Sequence, residues 1–178
     1  MKKRIIIAAV LLNLIFCLIS IHSHATDLTL NNTSTQVYFS PNGGCTDAIV
    51  REIGNAKSEI LVQAYSFTSA PIARALTNAH KQGIEVEAIL DKSQRSERYT
   101  AATYLKNAGI PVYIDSVHAI AHNKIMIIDR ETIITGSFNF TRAAEEKNAE
   151  NLLIIKNPEL AKIYLNNWYK HKGHSEVY

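Results

Sequence analysis

The sequence predicts an α/β fold, a mixed β-sheet flanked by helices on both faces, and three features carry that prediction. Short β-branched or aromatic runs alternate with helical stretches from residue 37 onward. The connections in the first half are short, as in β-α-β units. Two runs in the second half are separated by only Asp129, Arg130 and Glu131, which is typical of an antiparallel hairpin. We therefore expect strands of both directions in one sheet.

The first half is predicted to alternate strands with helices. The runs with strand composition cover 37–39, 59–67, 84–90 and 110–114. Thr46 or Asp47 is expected to cap a first helix that runs to about residue 57. The next two are expected from Ser69 to Gly83 and from 96 to 107, each followed by a glycine suited to a helix end.

The second half is predicted to contain three more strands and a closing helix. The strands are expected at 124–128, 132–135 and 151–155, the first two as the hairpin. Asn157 and Pro158 supply an N-cap and a first-turn proline for the helix. Trp168 falls on the apolar face of that helix, so we expect it in the core.

The first 25 residues have the composition of an export signal. Three cations precede an apolar run from Ile5 to Ile21, and Ser23-His24-Ala25 then fits a small-x-small cleavage site. We expect a signal peptide at 1–25, a single domain at 26–178, and a periplasmic or secreted protein. An uncleaved membrane tether is the alternative, because the apolar run approaches the length that spans a bilayer.

Removal of that segment would take away three cations and no acid, so the net charge of +3 would fall to about zero. Global charge then says nothing about nucleic acid. Two local clusters could bind a polyanion: Lys92, Arg95 and Arg98, and Lys170, His171, Lys172 and His174. Cys45 would be the one remaining cysteine, so it is either buried or a thiol that could link two chains.

The chemistry is concentrated around one strand. His122 and Lys124 are two residues apart at the start of the run at 124–128, so strand periodicity places both side chains on one face. Ser137 and Asn139 repeat that spacing after the next strand and offer a hydroxyl and an amide. An imidazole that attacks phosphorus, with lysine and amide donors on the phosphate oxygens, suits phosphoryl transfer without a metal.

No metal site and no cofactor are predicted. The carboxylates are scattered, and no group of His, Cys, Asp and Glu has a recognised ligand spacing. His118 and His122 could chelate an ion together only on a helix, whereas the surrounding residues are typical of a loop followed by a strand.

These residues carry a resemblance to a known family. His122, Lys124 and Asp129, followed by Gly136, Ser137 and Asn139, resemble the HKD motif of the phospholipase D superfamily. The resemblance extends to YSFT at 65–68, GIP at 109–111 and KNAEN at 147–151. It covers nearly all of 26–178 and is strongest with the small plasmid-type endonucleases of the superfamily.

The resemblance implies a role for each matching residue. His122 would be the nucleophile and, in a second copy, the general acid. Lys124 and Asn139 would bind phosphate with Ser137 as a further contact, and Glu150 would orient the histidine. Asp129 lies at the far end of the strand from His122, about 7 residues at roughly 3.3 Å each. We expect a structural role for Asp129 and for Gly136.

The family pairs two such motifs, and this sequence has one. A phosphohistidine route needs a second group to protonate the leaving oxygen. We therefore expect a homodimer with a composite active site. The favoured function is an endonuclease acting on DNA, with RNA as a further substrate. The alternatives are a phospholipase D-type lipid phosphodiester hydrolase and a catalytically silent nucleic-acid-binding protein of the same fold.

Overall fold

The computed structural model describes residues 25–31, 33–97 and 100–178. Its strands are β1 (Ser34–Ser40), β2 (Glu59–Ala64), β3 (Glu85–Asp91), β4 (Val112–Asp115), β5 (Lys124–Ile128), β6 (Thr132–Gly136), β7 (Glu150–Lys156) and β8 (Glu176–Val177). Its α-helices are α1 (Cys45–Gly54), α2 (Ala70–Lys81), α3 (Ala101–Asn107), α4 (Arg142–Glu146) and α5 (Pro158–His174). A 3₁₀ helix covers Lys92–Arg95.

Within these residues the strands form one mixed sheet in the order β1-β7-β6-β5-β2-β3-β4-β8. The β2, β3 and β4 strands are parallel, because α2 and α3 carry the chain back across the sheet between them. The other neighbours are antiparallel, including the predicted hairpin of β5 and β6. The mixed α/β fold is therefore confirmed.

One expectation about the first strand was wrong. We expected β1 to begin the β-α-β series, but it pairs antiparallel with β7 at the edge of the sheet, with Val37 opposite Leu153. Helix α1 therefore does not join two neighbouring parallel strands. The local sequence cannot reveal this arrangement, because the partner of β1 lies more than a hundred residues away.

Helices cover both faces of the sheet. The larger core lies beneath α1, α2 and α3, and includes Ile49, Leu76 and Leu105. The smaller core lies beneath α5 and centres on Trp168, which is 1% exposed and donates its indole N–H to the Val62 carbonyl at 3.0 Å. The predicted core position of Trp168 is confirmed. Every residue of β2 is buried, as expected for a strand covered on both faces.

Two helix starts differ from the sequence prediction. Helix α1 begins at Cys45, and its first turn is capped by Glu145, whose carboxylate accepts hydrogen bonds from Gly44 N (3.1 Å) and Thr46 N (2.7 Å). A distant carboxylate thus takes the role that we assigned to Thr46 or Asp47. Helix α3 begins only at Ala101, because the chain first forms the 3₁₀ helix after β3. Helix α4 and strand β8 were not predicted.

The predicted signal at 1–25 falls outside the described residues except for Ala25. No helix among the described residues has both the length and the apolar character needed to cross a bilayer. Cys45 is fully buried, which agrees with the first of its two predicted states. Burial, with a smaller effect of Glu145, raises the pKa of its thiol to about 11.

Candidate active site

The site lies at the start of β5, in the middle of the sheet. The strand is hydrogen-bonded to β2 on one side and β6 on the other, so its first residues have a fixed position. Lys124 opens the strand opposite Ala64 and is 7% exposed, whereas His122 precedes it and is exposed. The Asn123 carbonyl accepts a hydrogen bond from Tyr65 N at 2.8 Å. A strand paired on both sides therefore holds the imidazole of His122 at the protein surface.

The imidazole of His122 is held from two sides. Its Nδ1 lies 3.0 Å from Lys124 Nζ, which also donates to the His122 carbonyl at 2.7 Å. Its ring packs on Tyr65, with the ring centroids 4.5 Å apart and the planes tilted by 50°. Among the described residues Nε2 has no hydrogen-bond partner. The ring therefore has a fixed orientation and one free nitrogen.

Lys124 is the cation of this site. Burial lowers the pKa of its ammonium below 10.5, and the nearby Glu150 carboxylate partly opposes that change. The Nζ atom also lies 5.1 Å from the centroid of the Tyr65 ring, within range of a cation–π contact. A partly dehydrated ammonium beside an imidazole is suited to bind an anionic group such as phosphate.

The segment after β6 brings the predicted neutral donors to the same end of the sheet. The Ser137 hydroxyl accepts hydrogen bonds from Asn151 N (3.0 Å) and Asn151 Nδ2 (3.2 Å). Asn139 Oδ1 is buried without a partner among the described residues. A buried polar atom without a protein partner is available to water or to a bound ligand.

Gly136 has a steric reason to be glycine. Its φ is +141°, and a Cβ there would lie 2.3 Å from the Asn151 carbonyl oxygen. The close approach of these two backbones allows Ser137 to reach Asn151. Sequence reasoning did not identify Asn151 or Tyr65 as parts of the site, although both lie in runs that resemble the family.

Glu150 has different partners from those that the resemblance implies. It begins β7, where its N–H donates to Ser40 Oγ at 3.1 Å and its carboxylate accepts from Asn148 Nδ2 at 3.1 Å. Within the described part of the chain no hydrogen bond joins it to His122. Its effect on the site is electrostatic, through the pKa of Lys124.

Asp129 lies at the opposite end of β5 from Lys124. Its carboxylate accepts hydrogen bonds from the backbone N–H groups of Lys57, Ser58 and Glu59 at 2.8–3.1 Å, and from Ser58 Oγ at 2.8 Å. These bonds join the turn after β5 to the start of β2. The contacts of Asp129 are therefore structural.

The predicted polyanion clusters are partly engaged within the chain. Arg95 pairs with Glu176 at 2.9 Å, and Lys172 pairs with Glu87. Arg98 lies outside the described residues. These contacts reduce the positive charge that either cluster offers to a polyanion.

Four side chains that could hold a metal lie together elsewhere in the protein. They are Asp115, His118, His171 and His174. Our argument against a metal site considered ligands that are close in sequence. The structure instead assembles these four from two segments that are far apart in the chain.

The sequence is similar to proteins of one family. Residues 49–171 match the family described as cardiolipin synthase, PLD-like domain. A phospholipase D of Rickettsia typhi is 41% identical over 157 residues, which is 88% of this chain and 76% of the relative. A mitochondrial cardiolipin hydrolase of Mus musculus is 31% identical over 117 residues, covering 66% of this chain and 53% of the relative.

A solved structure extends the similarity to the whole fold. The phospholipase D family member Nuc from Salmonella typhimurium is 40% identical, with a TM-score of 0.79. The match covers 83% of this chain and 99% of that protein. The sequence matches and the shared fold lead to one conclusion: this chain belongs to the phospholipase D superfamily, whose members are phosphodiesterase hydrolases.

Proposed function

We propose that this protein is an exported, metal-independent endonuclease that cleaves DNA, and RNA as a further substrate, with little sequence preference. The observation that carries the proposal is the exposed His122 ring, which Lys124 and Tyr65 hold in place while Nε2 has no hydrogen-bond partner among the described residues. The resemblance to the small plasmid-type endonucleases and the nearly complete coverage of Nuc support DNA as the substrate. Contacts to the phosphate backbone alone would carry no sequence information.

In the proposed reaction, His122 Nε2 attacks phosphorus. The bond between phosphorus and the leaving nucleoside oxygen breaks, and that oxygen takes a proton from a second imidazole. Water then gives a proton to that imidazole and attacks the phosphohistidine. Hydrolysis releases the phosphate product and restores His122.

Lys124 would change partner during this reaction. As an ammonium it donates to Nδ1 of His122, which leaves the ring proton on Nε2. That tautomer cannot attack through Nε2. A bound phosphate would draw Lys124 Nζ away from the ring and free Nδ1 to hold the proton. The same movement would place the ammonium where charge develops in the transition state.

The second imidazole would come from another copy of the chain. Among the described residues, one histidine is followed two residues later by a lysine, and it is His122. Its exposed position leaves room for the partner subunit's His122. Strand β1 lies at the sheet edge, and its Phe39 is 67% exposed opposite Asn151. An exposed aromatic side chain beside the site supports a two-fold contact there.

A lipid phosphodiester is the second candidate substrate. The relative from Rickettsia typhi is named a phospholipase D. In addition, Val117 and Ile120 are 66% and 57% exposed on the loop that leads to His122. Apolar side chains beside a phosphodiesterase site are suited to contact acyl chains. The same reaction steps would then apply to a phospholipid.

Two substrates separate these candidates. The purified protein is incubated with plasmid DNA and with phosphatidylcholine vesicles, both in EDTA, beside His122→Ala and a His80→Gln control on α2. We expect DNA to be nicked and degraded by the wild type and by His80→Gln, and to survive with His122→Ala. Intact DNA with released choline would replace the nuclease with the lipid enzyme. If neither substrate is turned over, the result favours the catalytically silent nucleic-acid-binding protein.

A further inference from the structure

The four side chains noted above converge on one carboxylate oxygen. Asp115 ends β4 and is fully buried, and its Oδ2 lies 2.8 Å from His171 Nδ1, 3.0 Å from His118 Nδ1 and 3.4 Å from His174 Nε2. The three imidazole rings have centroids within 5.2 Å of one another. One ligand atom from each of the four residues lies within 4.8 Å of every other.

We propose that Asp115, His118, His171 and His174 bind a divalent transition-metal ion of the zinc class, at a structural site separate from His122. Three imidazole nitrogens and one carboxylate oxygen are a tetrahedral ligand set that zinc accepts. Zinc bonds of about 2.0–2.2 Å require ligand atoms about 3.3 Å apart, so the most widely separated ligand atoms need to close by up to about 1.5 Å.

The surroundings of Asp115 resemble the outer shell of a metal site. Its Oδ1 accepts hydrogen bonds from the backbone N–H groups of Val117 (3.2 Å) and His118 (3.4 Å). These bonds fix the carboxylate, whose Oδ2 contacts all three rings while Oδ1 also lies 3.1 Å from His118 Nδ1. Outer contacts that orient a ligand are typical of metal sites in proteins. Without an ion, three imidazoles compete for one carboxylate, and each ring needs a proton to donate.

The ion would join two distant parts of the chain. His171 and His174 belong to the last turn of α5, whereas Asp115 and His118 begin the loop that reaches His122. The same loop is held elsewhere by Lys92 Nζ, which donates to the His118 carbonyl at 3.0 Å. The site therefore fixes the end of α5 to the loop that carries the reactive histidine. The proposal does not depend on the proposed nuclease activity, because the ion has no part in that reaction.

Cobalt binding tests the proposal directly. The full chain, purified without a polyhistidine tag and stripped with chelator, is titrated with Co²⁺ and followed by its visible absorption. We expect one Co²⁺ per chain with the intense spectrum of tetrahedral cobalt. His118→Asn should weaken binding by at least about tenfold, and the pair His171→Gln and His174→Gln should remove it. Zn²⁺ should displace Co²⁺ and raise the melting temperature of the wild type but not that of the variant lacking His171 and His174.

Two control variants keep the result specific. His80→Gln removes a half-buried imidazole on α2, and His122→Asn removes the imidazole of the proposed active site. Both variants should bind Co²⁺ as the wild type does. If the histidine pair does not fold, His118→Asn decides alone, because its side chain is 43% exposed. The absence of tetrahedral cobalt, or binding that persists unchanged in His118→Asn, overturns the proposal. The cluster is then a network of hydrogen bonds to Asp115. Nuclease activity in EDTA is read separately.

Discussion

Residues of a single motif lie at the two ends of strand β5, and their hydrogen bonding differs. At the first end, His122 is exposed with a free Nε2, and the nearby Asn139 Oδ1 is buried without a partner among the described residues. At the other end, both carboxylate oxygens of Asp129 accept hydrogen bonds from the segment 57–59. The difference teaches that one end keeps its polar groups available to a ligand, while the other uses its polar group to hold the strand.

The largest expected effect is on the activity of His122→Ala. Loss of the nucleophile should lower kcat by at least about 10⁴-fold. The free energy of unfolding should change by less than about 0.5 kcal/mol, because the side chain is exposed. Urea denaturation beside a phosphodiesterase assay measures both. A variant that retains activity contradicts the assignment of the nucleophile.

Asn139→Ala is expected to give the next largest loss. Removal of one preorganised donor to a phosphate oxygen should lower kcat by about 10²–10³-fold. Its stability cost should be small, since Asn139 Oδ1 has no hydrogen-bond partner among the described residues for the substitution to remove. Steady-state kinetics and a melting curve test this combination. A strongly destabilised variant with normal kcat would show that Asn139 stabilises the fold and does not bind phosphate.

Asp129→Ala should show the reverse pattern. Loss of its backbone hydrogen bonds should lower the free energy of unfolding by about 2–3 kcal/mol. The kcat measured well below the melting temperature should stay within about twofold of wild type, because no contact of Asp129 reaches the site. A loss of kcat in folded Asp129→Ala would show that Asp129 also contributes to activity.

Acid titration sharpens the same prediction. Burial would raise the pKa of Asp129, but the hydrogen bonds from Ser58, Lys57 and Glu59 hold it below 3.8. Because the folded pKa is lowered, the stabilisation is complete above pH 3.8 and is lost as pH falls through the folded pKa. Asp129→Asn should therefore remove part of the acid sensitivity of unfolding.

The smallest expected effect concerns the alkaline limb of the pH–rate profile. Burial lowers the pKa of Lys124. As the pH rises, the ammonium should therefore lose its proton, and the enzyme its activity, before pH 10.5 is reached. Lys124→Arg keeps its charge at that pH and should lose the limb, although its absolute rate should fall because guanidinium geometry differs. A limb that persists unchanged in Lys124→Arg belongs to another group.

The sequence predicted the elements whose signals are local. The hairpin of β5 and β6, the cap and proline of α5, and the buried Trp168 follow from spacing and residue type alone. The positions of His122 and Lys124 on one strand end follow from the same periodicity. Their contact with Tyr65 did not, because it depends on the pairing of β5 with β2.

Contacts between distant segments account for what the sequence did not reveal. The cap of α1 comes from Glu145, and the ligand cluster joins Asp115 to the end of α5. Both consist of ordinary residues with no characteristic local spacing. The absence of a hydrogen bond between Glu150 and His122 among the described residues likewise depends on packing, since Asn148 Nδ2 donates to the Glu150 carboxylate.

The position of β1 has a consequence for the order of folding. Its seven residues pair with β7, from Ser34 opposite Lys156 to Ser40 opposite Glu150. Closure of so long a loop slows folding, because chain entropy is lost before the pairing is gained. Because its neighbour in the sheet is β7, strand β1 cannot complete its pairing until the ribosome has added residue 156. A growing chain, or one that crosses a membrane from its amino end, keeps this strand unpaired until most of the protein has followed it.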